Sequence, residues 1–499
     1  MTYVGFNLRI LLPWVAYIVS LTLSLDALLT EALGGTAVFS EGAGEVKGRQ
    51  AGWGSAVLDR FQNPTQVLAT GFGSVVLIGT VLLTLPIATT SGESAGWVSA
   101  LFTATSAVCV TGLVIVDTGA YWSSFGEGVI AGLVQVGGLG IMMMATLFTM
   151  LVSGRMGLRV RLMAQAQTST LNVADARRVV RNVVIFSLVS EAIVAVILTA
   201  RLMIKYDESF GEAVYHGVFH AISAFNNAGF ALWPDSLMGF VTDPWICLTI
   251  AAAVIVGGLG FPVMFELLRS WRRPSRWSVL TRVSVVVTVL LLSSGTLVFL
   301  MTEWRNPGTM GALDDSEKLL ASFFTAVMPR SSGFNSIDVS QMAPSSWLAT
   351  DILMFIGAGS AGTGGGIKVT TFGLLAFVIW AELRGESRVN VGHRRLTESA
   401  QRQAVAISAL GVALVAVSTY VLLVLTPHSL DKVLFEAVSA FSTTGLSTGI
   451  TADVPPAGHL LLVVLMFIGR IGPLTLGSAL ALKERTRRYE LPEERVIVG

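Results

Sequence analysis

The strongest constraint on this chain is a series of eight long apolar runs, at about 66–88, 129–152, 183–200, 246–264, 283–300, 352–380, 403–426 and 460–482, each with at most one charged residue. A helix that crosses a bilayer needs about 20 apolar residues, so the base expectation is eight spans. Composition agrees, with 53% of residues hydrophobic and 13% charged, against about 25% charged in an ordinary soluble domain. A ninth run, Ile10–Leu25, could span, lie in the interface or act as a short anchor; without a convincing small-residue cleavage site it does not read as a removed signal peptide. A net charge of +1 implies no basic surface for nucleic acid. The two cysteines, Cys109 and Cys247, both in apolar stretches, define neither a disulfide framework nor a metal motif.

Positive charge sets the expected orientation. The linker after the second run holds Arg155, Arg159, Arg161, Arg177, Arg178 and Arg181. The next even linkers hold Arg269, Arg272, Arg273, Arg276 and Arg282, then Arg384, Arg388, Arg394, Arg395 and Arg402. The tail holds Lys483, Arg485, Arg487, Arg488 and Arg495, while the opposite side has only Arg201, Lys205, Arg305, Lys318 and Lys432. Even linkers and the C-terminus are therefore expected in the cytoplasm.

The long linkers on the opposite side repeat one another. "LFTATSAVCVTGLVIVDTG" from Leu101, "VFHAISAFNNAGFALWPDS" from Val218, "SFFTAVMPRSSGFNSIDVS" from Ser322 and "LFEAVSAFSTTGLSTGITA" from Leu434 place Phe102, Phe219, Phe323 and Phe435 ahead of Gly112, Gly229, Gly333 and Gly445 at a constant interval. A second glycine cluster follows each, beginning at Gly137, Gly257, Gly357 and Gly469. Self-similarity at this level outranks any single motif. It predicts four units of span, short half-helix, glycine loop and span: 64–155, 177–272, 281–384 and 403–483, flanked by an N-terminal extension 1–63 and a tail 484–499.

The third unit contains "FIGAGSAGTGGGIK" at 355–368, in which Gly357, Gly359 and Gly362 match a dinucleotide fingerprint, with Glu382 at about the expected distance for a ribose-binding acid. The context fails: the flanks are membrane-length runs, and the other three units lack the pattern. A phosphate-binding P-loop fails too, because Ile367 separates Gly366 from Lys368.

Four half-helices that enter from outside point their negative ends inward, which favours a cation below them. Irregular backbone at membrane depth must be buried or line a water-filled cavity, and loop carbonyls there can replace the water shell of a dehydrated cation. Glycine suits such a loop because a Cβ forbids the dihedrals it needs. The candidate filter is Val110, Thr111 and Gly112 with Leu113; Asn227, Ala228 and Gly229 with Phe230; Ser331, Ser332 and Gly333 with Phe334; and Thr443, Thr444 and Gly445 with Leu446.

Those four stretches, with "NPGTMG", "LMFIGAGSAGTGGGIKVTTF" and "LMFIGRIGPLT", resemble the superfamily of K+ transporters that comprises the Trk, Ktr and HKT proteins, and within it the KtrB-type ion-translocating subunits. The likeness runs from about residue 64 to the end. It implies an all-α polytopic membrane protein of four M1–P–M2 repeats, eight spans and four pore half-helices around a central pore, assembled as a homodimer in the plasma (inner) membrane. It implies a cytosolic ring of RCK-domain, KtrA-like regulatory subunits that bind nucleotide on a separate chain, so no cofactor is expected here beyond the transported K+ at the filter carbonyls. A glycine at all four key positions goes with K+ selectivity. The resemblance also makes 357–368 an intramembrane gate, carried by Gly357, Gly359, Gly362, Gly364, Gly365, Gly366 and Lys368, with Arg470 facing it as a positive barrier. The long extension 1–63 departs from the family and is expected to be dispensable for the pore.

Several charges stay open on the residues alone. Arg470 would otherwise be a structural salt bridge, Lys368 would anchor the loop to an acid or to lipid headgroups, and Arg330 would point backward and pin its filter strand. Asp117 would concentrate cations or be a solvated loop acid. His216 and His220 have a zinc-like spacing but no third ligand nearby, and no catalytic constellation supports an enzyme. The reading is gated K+ uptake through a channel-like pore, with a K+ symporter coupled to Na+ or H+ as the alternative.

Overall fold

The computed structural model describes residues 64–156, 173–360, 362–386, 388–391 and 394–472. The extension 1–63, the end of the fourth unit and the tail 484–499 lie outside the described residues. Compactness divides the chain into a small unit, 1–64 with 169–176, and a large one, 65–168 with 177–499; apart from Pro64 and residues 173–176, the large one carries everything below.

The regular secondary structure of the described residues is helical, apart from a two-residue antiparallel pair, Asn390–Val391 with Arg394–Arg395. The first repeat gives α1 (Pro64–Thr84), α2 (Trp97–Val108) and α3 (Ser124–Met156). The second gives α4 (Val173–Lys205), α5 (Phe210–Phe225), α6 (Pro244–Leu259) and α7 (Phe261–Ser270). The third gives α8 (Val279–Glu303), α9 (Asp315–Val327), α10 (Pro344–Phe355) and α11 (Val369–Leu383), and the fourth α12 (Glu398–Leu425), α13 (Leu430–Ser442) and α14 (Pro456–Ile471). Local chemistry sets the starts. Ser209, Ser278 and Thr397 cap α5, α8 and α12 through their hydroxyls, Asp314 and Glu317 form a capping box on α9, and proline occupies the first turn of α6, α10 and α14.

The packing is cyclic. The helix after each short helix also touches the short helix of the next repeat: α3 meets α5, α6 meets α9, α10 meets α13, and α14 returns to α2. The last contact closes the order 1-2-3-4 into a ring. Outer faces are apolar and exposed, as at Leu77, Val81, Val196, Leu290 and Val424, the pattern of helices solvated by lipid rather than water.

The spans are less uniform than eight equal runs. Among the described residues three unbroken helices are long and apolar enough to cross a membrane, at Arg178–Lys205, Val279–Glu303 and Glu398–Leu425. The expected span 246–264 is broken at Gly260, where φ is +85° and α6 meets α7 at 103°. The run 352–380 is interrupted between α10 and α11, and α14 ends at Gly472 with φ +93°. By contrast α3 runs straight through the corresponding Gly140. Glycine permits these breaks; its presence does not compel them.

Candidate functional site

The four glycine stretches share one backbone conformation. Gly112, Gly229, Gly333 and Gly445 all have positive φ, and so do Val110, Asn227, Ser331 and Thr443, each two residues earlier. A non-glycine residue in that region costs about 1–2 kcal/mol, and for β-branched Val110 and Thr443 it is a true outlier. Three of the short helices end the same way. Thr111 N–H donates to Ser106 O (2.7 Å), Ala228 N–H to Ser223 O (2.7 Å) and Thr444 N–H to Ser439 O (2.9 Å), while the left-handed residue donates three residues back. This is a Schellman closure with a side chain where glycine is usual. In the third repeat Pro329 ends α9 early, and Ser332 N–H donates to Met328 O instead (3.1 Å).

The stretches meet in a closed ring. A Cβ on Gly112 would stand 2.3 Å from Ala228 O, on Gly229 2.2 Å from Ser332 O, on Gly333 2.5 Å from Thr444 O, and on Gly445 2.1 Å from Thr111 O. Glycine is thus required twice over, by its dihedral and by its neighbour. Hydroxyls brace the turns. Ser106 Oγ donates to Leu113 O (2.8 Å) and Ser223 Oγ to Phe230 O (2.8 Å), while Gly112 N–H and Gly445 N–H donate to Ser106 Oγ and Ser439 Oγ (3.1 Å each).

Beside the ring lies the loop between α10 and α11. Its ends are tied by Gly357 N–H to Ile367 O (2.9 Å) and Val369 N–H to Ala358 O (3.1 Å). Its middle reaches residues of the second, third and fourth repeats. Gly359 N–H donates to Gly258 O (2.9 Å), Thr363 Oγ1 pairs with the Asn227 amide (2.8 Å), and Gly365 N–H donates to Ser331 Oγ (2.8 Å). Arg470 donates to Thr363 O and, at 2.9 Å, to Gly137 O. A Cβ on Gly362 would clash with Gly258 O, on Gly364 with Ala358 and Ser331, and on Gly365 with Thr443 Oγ1.

The comparisons with known proteins fit this architecture. The family profile of TrkH, cation transport protein, matches residues 48–485. The chain belongs to the TrkH family. Among curated relatives of this TrkH-family chain, the Ktr system potassium uptake protein B of Bacillus subtilis is 42% identical over 437 residues, covering 87% of this chain and 97% of that one. Its counterpart in Vibrio alginolyticus is 40% identical, covering 87% and 94%. The potassium/sodium uptake protein NtpJ of Enterococcus hirae is 36% identical, covering 88% and 97%. The crystal structure of the potassium transporter TrkH from Vibrio parahaemolyticus matches with a TM-score of 0.64 over 86% of this chain and 89% of that one; at 17% identity it speaks to the fold. The family is one of cation transporters, not enzymes.

The structure settles several charges that the sequence left open in this TrkH-family chain. Arg470 is in no ion pair among the described residues. Lys368 is in no ion pair among the described residues; its Nζ folds back onto Gly364 O within its own loop. Arg330 is buried, but its guanidinium donates no hydrogen bond to any described residue, so it does not pin the strand that way. Asp117 caps a short turn by accepting from Ala120 N–H at 2.7 Å. His220 stacks on Trp233 and bonds to His216 O, and no metal-binding cluster occurs among the described residues. The first glycine of the second cluster is a packing contact in three repeats: a Cβ on Gly137, Gly257 or Gly469 would strike Val108 O, Phe225 O or Phe441 O.

Two features escaped the sequence reading. The bracing serines Ser106, Ser223 and Ser439 were visible as a shared Ser-Ala six residues before the glycine, with Val327 in the third repeat. Glu191, buried in α4, accepts from Gln135 (3.0 Å), Ser187 (2.9 Å) and Asn226 (3.1 Å), which ties α3 and α4 to the end of α5. A lone acid inside an apolar run gives no hint of its partners.

Proposed function

We propose that this chain is the K+-translocating subunit of a Ktr-type uptake system. K+ crosses the plasma (inner) membrane through the ring formed by Val110–Gly112, Asn227–Gly229, Ser331–Gly333 and Thr443–Gly445, whose carbonyls replace the ion's water. The four units act as M1–P–M2 repeats around that axis. The observation that carries the reading is the cyclic approach of the four glycines, each against the stretch of the next repeat. Alternating left-handed dihedrals turn successive carbonyls to one side, and the negative ends of α2, α5, α9 and α13 lie at the inner end of the ring. The names of the 42% and 40% identical relatives support K+ as the cargo.

The loop 357–366, with Lys368 and Arg470, acts as the gate. In the conformation described it lies across the inner end of the filter, bonded to residues of three repeats, and Arg470 adds a positive charge there. Regulation comes from a cytosolic ring of RCK-domain, KtrA-like subunits that carry the nucleotide. The arginine-rich even linkers support a cytoplasmic C-terminus, and the chain works as a homodimer. Uptake of Rb+ and K+ into proteoliposomes, with no Na+ or H+ gradient imposed, tests this: saturable flux that excludes Na+ supports the pore. A second reading, K+ symport coupled to Na+ or H+, is favoured by one observation, the potassium/sodium name of the 36% identical relative. An absolute requirement for a second ion would establish it.

A further inference from the structure

Arg330 stands apart from the other buried cations among the described residues. The residue is 7% exposed, its Nε has no partner, and it makes neither an ion pair nor a side-chain hydrogen bond with any described residue. Arg470 and Lys368 at least reach backbone carbonyls. A buried unpaired charge costs several kcal/mol, and proteins normally neutralise it. Arg330 lines a small cavity at the seam between the second and third repeats, together with Thr288, Gly258, Leu292, Val327 and Ala358. The Thr288 hydroxyl is also buried without a partner. Two unpaired donors, one of them cationic, thus share a cavity whose remaining wall is apolar.

We propose that this seam holds a single monatomic anion, chloride in the cell, ligated by the Arg330 guanidinium and the Thr288 hydroxyl. The charge argues for an anion rather than water alone: a water molecule would satisfy the hydrogen bonds and leave the cation uncompensated. The size argues against phosphate or sulfate, because the cavity has room for about one water-sized particle, and two donors are too few for a polyatomic oxyanion. The location gives the site a consequence. Arg330 precedes the filter stretch Ser331–Gly333, so its charge would repel K+ unless compensated. The same cavity is walled by Ala358 of the loop and by Gly258, whose carbonyl accepts from Gly359 N–H. An anion here therefore neutralises the filter's flank and steadies the loop in the conformation described.

The test uses the full-length purified protein with K+ held constant while chloride is replaced by bromide or by gluconate, which is too large to enter. Thermal unfolding should occur about 1–3 °C higher in chloride or bromide than in gluconate. The difference should vanish in Arg330→Gln and shrink in Thr288→Val. Crystals grown in bromide should show an anomalous peak between Arg330 and Thr288. If Arg330→Gln does not fold, the wild-type bromide peak and the Thr288→Val comparison decide. No peak at the seam, with only ordered water beside Arg330, overturns the proposal; so does a halide effect that persists undiminished in a folded Arg330→Gln protein.

Discussion

Gly112 illustrates how much a single position carries. Its φ of +86° already disfavours any side chain, and a Cβ there would stand 2.3 Å from the Ala228 carbonyl. Gly112→Ser must push the second repeat's strand aside and add a hydroxyl to the ring. Relative uptake of K+ over Na+ is expected to fall about tenfold, equivalent to roughly 1.4 kcal/mol of lost discrimination; competition assays in proteoliposomes read it directly. The bracing serines act on stability instead. Ser223→Ala leaves Phe230 O without the donor it has at 2.8 Å. It should destabilise the protein by about 1–2 kcal/mol, seen as a lower unfolding temperature with ion preference largely retained.

Among the elements, the short helices and the loop were legible while the breaks were not. The constant Phe-to-Gly interval located α2, α5, α9 and α13 because each must end ahead of a glycine held at positive φ. The six glycines at 357–366 pointed to unwound backbone because holding them helical costs about 1 kcal/mol each relative to alanine. Gly260 and Gly140 occupy the same place in their repeats, yet α6 breaks and α3 does not. Two things differ: Pro262 stands two residues after Gly260, where Met142 follows Gly140, and cannot continue the helix; and the loop crosses at Gly258, where Gly359 bonds to its carbonyl, a contact no sequence pattern announces. The partners of Lys368 and Glu191 were illegible for the same reason, being set by tertiary placement. Arg470 is the clearest lever on the loop. Arg470→Ala removes its bonds to Thr363 O and Gly137 O together with a buried charge. K+ flux without regulatory subunits should rise several-fold, and stopped-flow or isotope uptake would reveal a fall if the arginine only holds the fold together.

For the molecule as a whole, Asp243 ties the second repeat together outside the spans. It is fully buried at the start of α6 and receives Arg201 (2.9 Å), Lys205 (3.1 Å), Tyr206 (3.1 Å) and Trp245 N–H (3.0 Å). Burial pushes its pKa up, but these bonds outweigh burial and hold it below the usual carboxylate value. Its stabilisation is therefore complete above the unfolded value of about 3.9 and lost as pH falls through the lower folded value. Asp243→Asn should cost about 1–3 kcal/mol at neutral pH, allowing for the partial exposure of its partners, and should flatten the acid side of the stability profile. The central claim, that 357–366 gates a filter built by four repeats, is tested most directly by deleting several residues between Gly359 and Gly365 and measuring K+ flux in proteoliposomes without regulatory subunits. The account predicts a folded variant with raised, partner-independent flux and unchanged preference for K+ over Na+, because the ring glycines are untouched. A folded variant whose flux falls, or still depends on the partner, would contradict it.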